Sequence, residues 1–238
     1  GVKGCSTRQF QRRMSRPGKL HAKQTHDVLL DAIGYQTVPR MVDPSRMVKS
    51  LDQLYASAAA VNAVVLDHLK RWALKSRGMF PCDSGSGDGR VVYRYWKDVE
   101  GSPSERLVRW SCLKKHSRAM EKMTRSLSDD PSRLLDLCRH AIVLDSPHDV
   151  AVCLGQVAID QEVRIERIKN RMSLTYDSGV TAGYRDLSIN FRLITPATLA
   201  LGVEVHVCEL QLVLLRFAEV RSNEGHKRYI SWRNLRGV

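Results

Sequence analysis

The stretch TAGYRDLSINFR, from Thr181 to Arg192, has the alternating pattern of a β-strand. Successive side chains of a strand point to opposite faces of the sheet, so one face carries Arg185 and then the core residues Leu187, Ile189 and Phe191. The opposite face, called the polar row below, has no aliphatic side chain: Tyr184, Asp186, Ser188, Asn190 and Arg192. Such a row either faces bulk water or forms the floor of a polar cleft, and the alternation is compatible with both.

The composition is that of a globular protein with a strongly basic charge. Over 238 residues, 38 Lys and Arg stand against 25 Asp and Glu, a formal net charge of +13. This charge favours polyanionic partners, namely nucleic acid, nucleotides or an anionic membrane surface. Because no apolar run approaches the roughly 18 residues that a membrane span needs, we expect no membrane-spanning segment.

The six cysteines are scattered and form no CxxC pair, and three of them, Cys138, Cys153 and Cys208, lie within apolar runs. This pattern is typical of reduced thiols and favours a cytoplasmic location. Residues 1–25 are rich in Lys and Arg and lack the apolar segment of a secretory signal. They are predicted to be a basic flexible tail, and the remnant of an organelle-targeting segment fits them as well.

Residues 26–238 are predicted to form a single domain with a helical part (26–78) and a mixed-sheet part (91–238). Asp43-Pro44 has the pattern of a helix start, and an apolar stripe follows it towards Gly78. Further helices are expected at 107–127, from Ser146 onward and at 217–234, and strands at 91–96, 134–144, 163–168, in the opening stretch and at 203–213. This order predicts an α/β (α+β) fold in which helices pack on a mixed sheet of about five strands.

A cationic stripe lies in the predicted helix 107–127. Four side chains share one helical face: Lys114, Arg118, Lys122 and Arg125. Like charges at this spacing repel one another by a few tenths of a kcal/mol per pair, and an anion lying along the stripe would remove that cost. A solvated basic face opposite the apolar residues of the helix is the alternative.

Two carboxylates occur inside apolar runs, Asp136 in RLLDLCRHAIVL and Glu209 in CELQL, where Gln211 shares the strand face of Glu209. A buried carboxylate needs a cation, a metal ion or a catalytic task. Together the two are suited to Mg²⁺, which takes a few protein oxygens plus substrate phosphates. Ion pairs with Arg139 or Arg185 are the alternative.

Six motifs follow one another along the chain: the basic KxxxRxxxK from Lys114 to Lys122, DLCRHAIV, KNR, GYRDLSI, ELQL and EGHKRY. In this order they resemble the synthetase domain of RelA/SpoT-type alarmone synthetases over roughly residues 107–229. That family has a nucleotidyltransferase-like fold and transfers pyrophosphate from ATP to the 3′-hydroxyl of GDP or GTP. The resemblance therefore implies this fold, a Mg²⁺-dependent pyrophosphokinase, ATP as donor and a guanine nucleotide as acceptor.

The resemblance also implies roles for particular residues. Lys114 and Lys122, with Arg118 between them, match the positions that hold the ATP phosphates. Asp136 matches the metal-binding aspartate, and Glu209 matches the glutamate that engages the metal and the attacking hydroxyl. Around the acceptor the implied residues are Tyr184, which would stack on the base, together with Asp186, Gln211 and His226. The polar row would then be the floor of a nucleotide cleft that also contains Glu209.

The acceptor and the activity have alternatives. Asp186 and Ser188 stand where the family usually has serine and histidine, and the high net charge makes an RNA 3′ end, such as that of tRNA, a second candidate acceptor. A non-catalytic nucleotide- or RNA-binding module on the same fold is the alternative function. A homo-oligomer is compatible with the sequence.

Overall fold

A computed structural model describes residues 48–85, 89–181 and 183–220. The predicted tail, the helix start at Asp43-Pro44 and His226 lie outside these ranges. None of the described helices combines the length and the apolar character that crossing a lipid bilayer requires.

Helix α1, Leu51–Ser76, is the longest described element. It begins with a capping box, in which the Ser50 hydroxyl accepts from the Gln53 backbone N–H and the Gln53 side chain accepts from the Ser50 backbone N–H. It ends where Arg77 adopts a left-handed backbone conformation. The next residue, Gly78, packs so tightly that an added Cβ would lie 2.6 Å from Ile142 Cγ2.

The sheet has six strands, one more than predicted: β1 Met79–Asp83, β2 Val91–Tyr95, β3 Arg139–Leu144, β4 Val163–Asn170, β5 Leu187–Leu193 and β6 Cys208–Leu214. Their order is β2-β1-β3-β6-β5-β4, in which only β3 and β6 are parallel. The mixed sheet of the predicted fold class is therefore confirmed. The additional strand, β1, lies between β2 and β3 but pairs with β3 only at Met79–Val143, so Pro81 interrupts no ladder with β3.

The described fold also contains five shorter α-helices: α2 Trp96–Val99, α3 His116–Ser126, α4 Pro147–Ile159, α5 Pro196–Ala200 and α6 Leu215–Val220. Helix α4 begins as predicted, because the Ser146 hydroxyl caps it by accepting from the Asp149 N–H at 3.1 Å. The predicted helix 107–127 was too long at its start, since α3 begins only at His116. The last predicted helix starts earlier, at Leu215, and is described only to Val220.

Several predicted strands were also too long at their starts, because β3, β5 and β6 begin only at Arg139, Leu187 and Cys208. The segments before them are irregular, and their polar side chains are placed by tertiary contacts.

The two faces of the sheet differ sharply. One face is apolar and carries Ile189, Phe191, Leu210 and Ile142, all fully buried. Helix α1 packs on this face, where the rings of Trp72 and Phe191 meet edge to face at 5.7 Å, and α1 also contacts α4. The opposite face carries the polar side chains of the candidate site.

Candidate active site

The polar row does not face bulk water. Ser188 and Asn190 are only 2% and 1% exposed. In the ladder, Asn190 lies opposite Glu209 of β6, and Ser188 lies opposite Gln211. Directly paired residues project from the same face of a sheet, so these four side chains form one polar surface.

Asp136 lies in the irregular segment before β3, not within the strand as predicted. Its Oδ2 is 2.7 Å from Lys114 Nζ, and its Oδ1 is 3.0 Å from Lys122 Nζ. Lys114 precedes helix α3, where its backbone N–H donates to the Leu137 carbonyl at 3.0 Å. The two lysines thus converge on one buried carboxylate although they do not share a helix.

The predicted cationic stripe is divided in the structure. Lys122 contacts Asp136, whereas Arg118 and Arg125 both form ion pairs with Glu121 on their own helix. Arg185, one of the alternative ion-pair partners of Asp136 and Glu209, has other contacts in the structure. Arg185 donates to backbone carbonyls, among them that of Ser173 at 2.9 Å, and not to Asp136 or Glu209.

The ion pairs shift the proton affinities of Asp136 and Lys114 in a consistent way. Burial alone would raise the pKa of Asp136, but Lys122 and Lys114 outweigh it and lower that pKa. Burial lowers the pKa of Lys114, and the attraction of Asp136 only partly offsets this effect. Asp136 thus places one negative charge against the two ammonium groups of Lys114 and Lys122.

Glu209 differs from Asp136 because, among the described residues, no lysine forms an ion pair with its carboxylate. Its Oε1 accepts from Gln211 Nε2 at 2.8 Å. Burial raises the pKa of Glu209, and the negative charge of Asp136 raises it further, against the opposing influence of Arg139 and Lys122. Glu209 is thus a desolvated carboxylate near a second one, the environment in which a cation or a proton is most readily taken up.

The structure places the predicted acceptor residues Asp186, Tyr184 and Gln211 in different surroundings. Asp186 is fully buried and forms an ion pair with Arg171, whose backbone N–H also donates to the Asp186 carbonyl at 2.9 Å. Tyr184 lies before β5, with its backbone N–H bonded to the Thr181 carbonyl at 3.0 Å. Gln211 orients Glu209. The structure therefore brings Gln211 beside Glu209, and gives Asp186 the role of holding Arg171.

Sequence analysis assigned no role to a group of cations along β4 and β3. Arg167 and Lys169 lie opposite Asn190 and Ser188, and Arg139 lies opposite Glu209, all on the polar face. Burial lowers the pKa of Lys169, and neighbouring Arg167 and Arg171 lower it further. The signal was present in the sequence, because VRIERIKNR places three cations two residues apart.

The donor set fits a hard divalent cation. Asp136 and Glu209 supply carboxylate oxygens, and a cation shared by them would relieve the repulsion that raises the pKa of Glu209. Both oxygens of Asp136 contact lysines, so an incoming phosphate would be needed to draw the ammonium groups away from it. These residues fit Mg²⁺ brought in with a nucleotide better than Mg²⁺ alone.

No family model matches the chain, and no curated protein matches it in sequence. Several solved structures do. The Type VI effector Tas1, in complex with its immunity protein, is 15% identical with a TM-score of 0.41 and covers 80% of this chain and 78% of its own. The small alarmone synthetase 2 from Bacillus subtilis is 17% identical with a TM-score of 0.39, over 53% of this chain and 63% of its own.

A GTP pyrophosphokinase family protein from Streptococcus pneumoniae also matches, at 16% identity and a TM-score of 0.36, over 51% of this chain and 57% of its own. At these identities and TM-scores the similarity concerns overall structure and not activity. The matched structures include small alarmone synthetases, the family that the sequence motifs resemble.

Proposed function

We propose that the chain is a Mg²⁺-dependent pyrophosphokinase that uses ATP as donor and the 3′-hydroxyl of a guanine nucleotide, or of an RNA 3′ end, as acceptor. One observation carries the proposal. Asp136, which is buried, and Glu209, which is half-buried, carry two negative charges among a larger group of cations: Lys114, Lys122, Arg139, Arg167, Lys169 and Arg171. Transfer of phosphoryl groups depends mainly on positioning and charge neutralisation, which this arrangement is suited to supply.

Lys114 and Lys122 are the donor-binding groups in this proposal. Both lysines contact Asp136, so the triphosphate would replace that carboxylate as their counter-charge. Asp136 would then be available to Mg²⁺. Arg118, now paired with the partly exposed Glu121, would add a contact to the phosphates by changing rotamer.

Glu209 is the candidate base. Its raised pKa makes it a better proton acceptor than an ordinary glutamate, and Gln211 fixes its orientation by donating to Oε1. The acceptor 3′-oxygen would attack the β-phosphorus of ATP, the bond from that phosphorus to the α–β bridging oxygen would break, and AMP would leave. The hydroxyl proton would pass to the Glu209 carboxylate. Mg²⁺, held by Asp136 and Glu209, would supply charge neutralisation on the phosphates.

Acceptor binding is assigned to the residues around the start of β5. Tyr184 would stack on the base, and Asp186 would act indirectly by holding Arg171 at the polar face. His226 is proposed as a further acceptor contact on the basis of the motif resemblance.

We also propose that residues 26–238 form one domain after a basic tail. A cytoplasmic location is supported by the free cysteines among the described residues.

The test is incubation of the full chain with β-labelled ATP, Mg²⁺ and each candidate acceptor in turn: GDP, GTP and an RNA that ends in a tRNA acceptor sequence. Label on GDP or GTP supports alarmone synthesis, and label on RNA supports RNA modification. Glu209→Gln should abolish the transfer, while the matched surface variant Glu219→Gln should retain it. Nucleotide binding without transfer to any acceptor would replace the proposal with a non-catalytic binding module.

A further inference from the structure

A second polar cluster lies on the other side of the sheet, beside helix α1. His68 on α1, Asp160 after α4 and Glu162 before β4 each offer one ligand atom, and these atoms all lie within 4.8 Å of one another. His68 and Glu162 also line a cavity whose wall carries charges of both signs: Asp67, Glu100, Lys70 and Arg71. The cluster is separate from the candidate active site, because α1 packs on the apolar face of the sheet.

The hydrogen bonds of His68 bring its ring against a second acceptor. Its Nδ1 is 2.9 Å from the Val64 carbonyl oxygen, which can only accept, so Nδ1 carries a proton. In the neutral ring Nε2 then presents a lone pair, yet it lies 3.1 Å from Oε2 of Glu162, which is also an acceptor. With His68 only 3% exposed, two acceptors face each other, and a proton or a metal ion between them is needed to reconcile the contact.

The ligand atoms are held by outer contacts of the kind that surround metal sites. Trp72 Nε1 donates to Asp160 Oδ2 at 3.0 Å, and the Glu162 backbone N–H donates to Asp160 Oδ1 at 3.1 Å. The His68 ring meets the Trp72 ring edge to face at 5.5 Å. Together with the Val64 carbonyl, these contacts fix the ring and one carboxylate before any ion arrives.

We propose that His68, Asp160 and Glu162 bind a first-row divalent cation of the Zn²⁺ type, with water from the cavity completing the coordination. An imidazole nitrogen with carboxylate oxygens suits Zn²⁺ better than Mg²⁺, which prefers oxygen ligands only. Arg71, which contacts Glu162 Oε2 at 3.2 Å, is about half exposed and is free to turn into solvent. The ion would connect α1 to the turn between α4 and β4.

The experiment uses the full chain after EDTA treatment and dialysis, titrated with Co²⁺ and followed by absorption, then with Zn²⁺. We expect one Co²⁺ per chain, with d–d bands and no sulfur-to-metal charge-transfer band, because the ligands are nitrogen and oxygen. Zn²⁺ should displace Co²⁺ and raise the Tm in proportion to the logarithm of its concentration. Glu162→Gln should weaken Co²⁺ binding at least about 10-fold.

Glu166→Gln is the matched control, because Glu162 and Glu166 are 38% and 39% exposed and each forms an ion pair with an arginine. It should bind Co²⁺ as the parent does. Circular dichroism verifies the fold of each variant, and Asp160→Asn provides a second ligand change. Three results would overturn the proposal: a sulfur charge-transfer band, a Co²⁺ affinity in both ligand variants equal to that of the parent, or no Co²⁺ binding by the parent. The last result would leave His68 and Glu162 as a structural hydrogen-bonded pair.

Discussion

Neutralising the two carboxylates of the candidate site is expected to have opposite effects on stability. Asp136→Asn removes the counter-charge of Lys114, whose side chain is only 13% exposed, and of Lys122, which is 33% exposed. Breaking a buried ion pair from one side costs about 3–5 kcal/mol. Because Lys122 is able to turn towards solvent, we expect the low end of this range, about 3 kcal/mol.

Glu209→Gln should leave the metal-free protein as stable as the parent or slightly more stable. Burial and the charge of Asp136 raise the pKa of Glu209, so the folded state favours the neutral form that glutamine imitates. If the two carboxylates were equivalent metal ligands, Asp136→Asn and Glu209→Gln would be expected to behave alike. The structure instead gives a different expectation for each variant. The difference arises because only Asp136 has two ammonium groups against it.

The pH dependence of the two variants follows from the direction of each pKa shift. The pKa of Asp136 is lowered, so its stabilisation is present above the unfolded value of about 3.9 and is lost as the pH falls through the folded pKa. The pKa of Glu209 is raised, so its stabilisation is present below about 4.3 and is lost as the pH rises through the folded pKa. Any increase in the free energy of unfolding caused by Glu209→Gln should therefore appear at pH 7 and vanish on acidification.

Urea unfolding without nucleotide or metal, at pH 7 and at about pH 4, measures these differences. Glu219→Gln, a change in an exposed surface pair, is the control and should stay within about 0.5 kcal/mol of the parent. If Glu209→Gln destabilised the protein as much as Asp136→Asn does, Glu209 would be a structural ion-pair partner. The reasoning from its desolvation would then be refuted.

Three further outcomes are expected. Lys122→Met should weaken ATP binding in equilibrium titrations while leaving RNA affinity nearly unchanged; loss of RNA affinity with a reduced salt slope would instead make α3 an RNA-binding surface. Asp186→Asn should lower the free energy of unfolding in urea by about 3 kcal/mol, because it leaves Arg171 without its buried partner. A decrease below about 1 kcal/mol would contradict the role of Asp186 in holding Arg171. Gly78→Ala should lower the free energy of unfolding by about 1–3 kcal/mol through the clash with Ile142, and unaltered stability would contradict the tight packing.

The strands and the polar face were largely predictable from the sequence. Alternation in the Thr181–Arg192 stretch identified the faces of β5, and the same period placed Glu209 and Gln211 together on β6. Alternation could not tell whether the polar row was buried, because burial depends on which strands lie alongside. The neighbours of Asn190 are Glu209 and Arg167, which are distant in sequence.

Where prediction failed, tertiary contacts had replaced local regularity. Lys114 continues the helical spacing of Lys122, yet it lies outside α3 because its N–H bonds to Leu137. Asp136 lies in an apolar run that suggests a strand, yet the strand begins three residues later. In both cases the side chain still reaches the site. Residue types and their order therefore predicted which of these side chains lie together better than where each helix or strand begins.

Mass balance shows whether the polar face carrying Asp136 and Glu209 transfers pyrophosphate. ATP, Mg²⁺ and the acceptor identified by labelling are incubated with the full chain, and AMP and product are quantified by mass spectrometry. The account predicts one AMP for each acceptor that gains a diphosphate, and a rate at least about 100-fold lower for Glu209→Gln. Equal rates for parent and Glu209→Gln, or Mg²⁺-dependent ATP binding with no AMP formed, would contradict it.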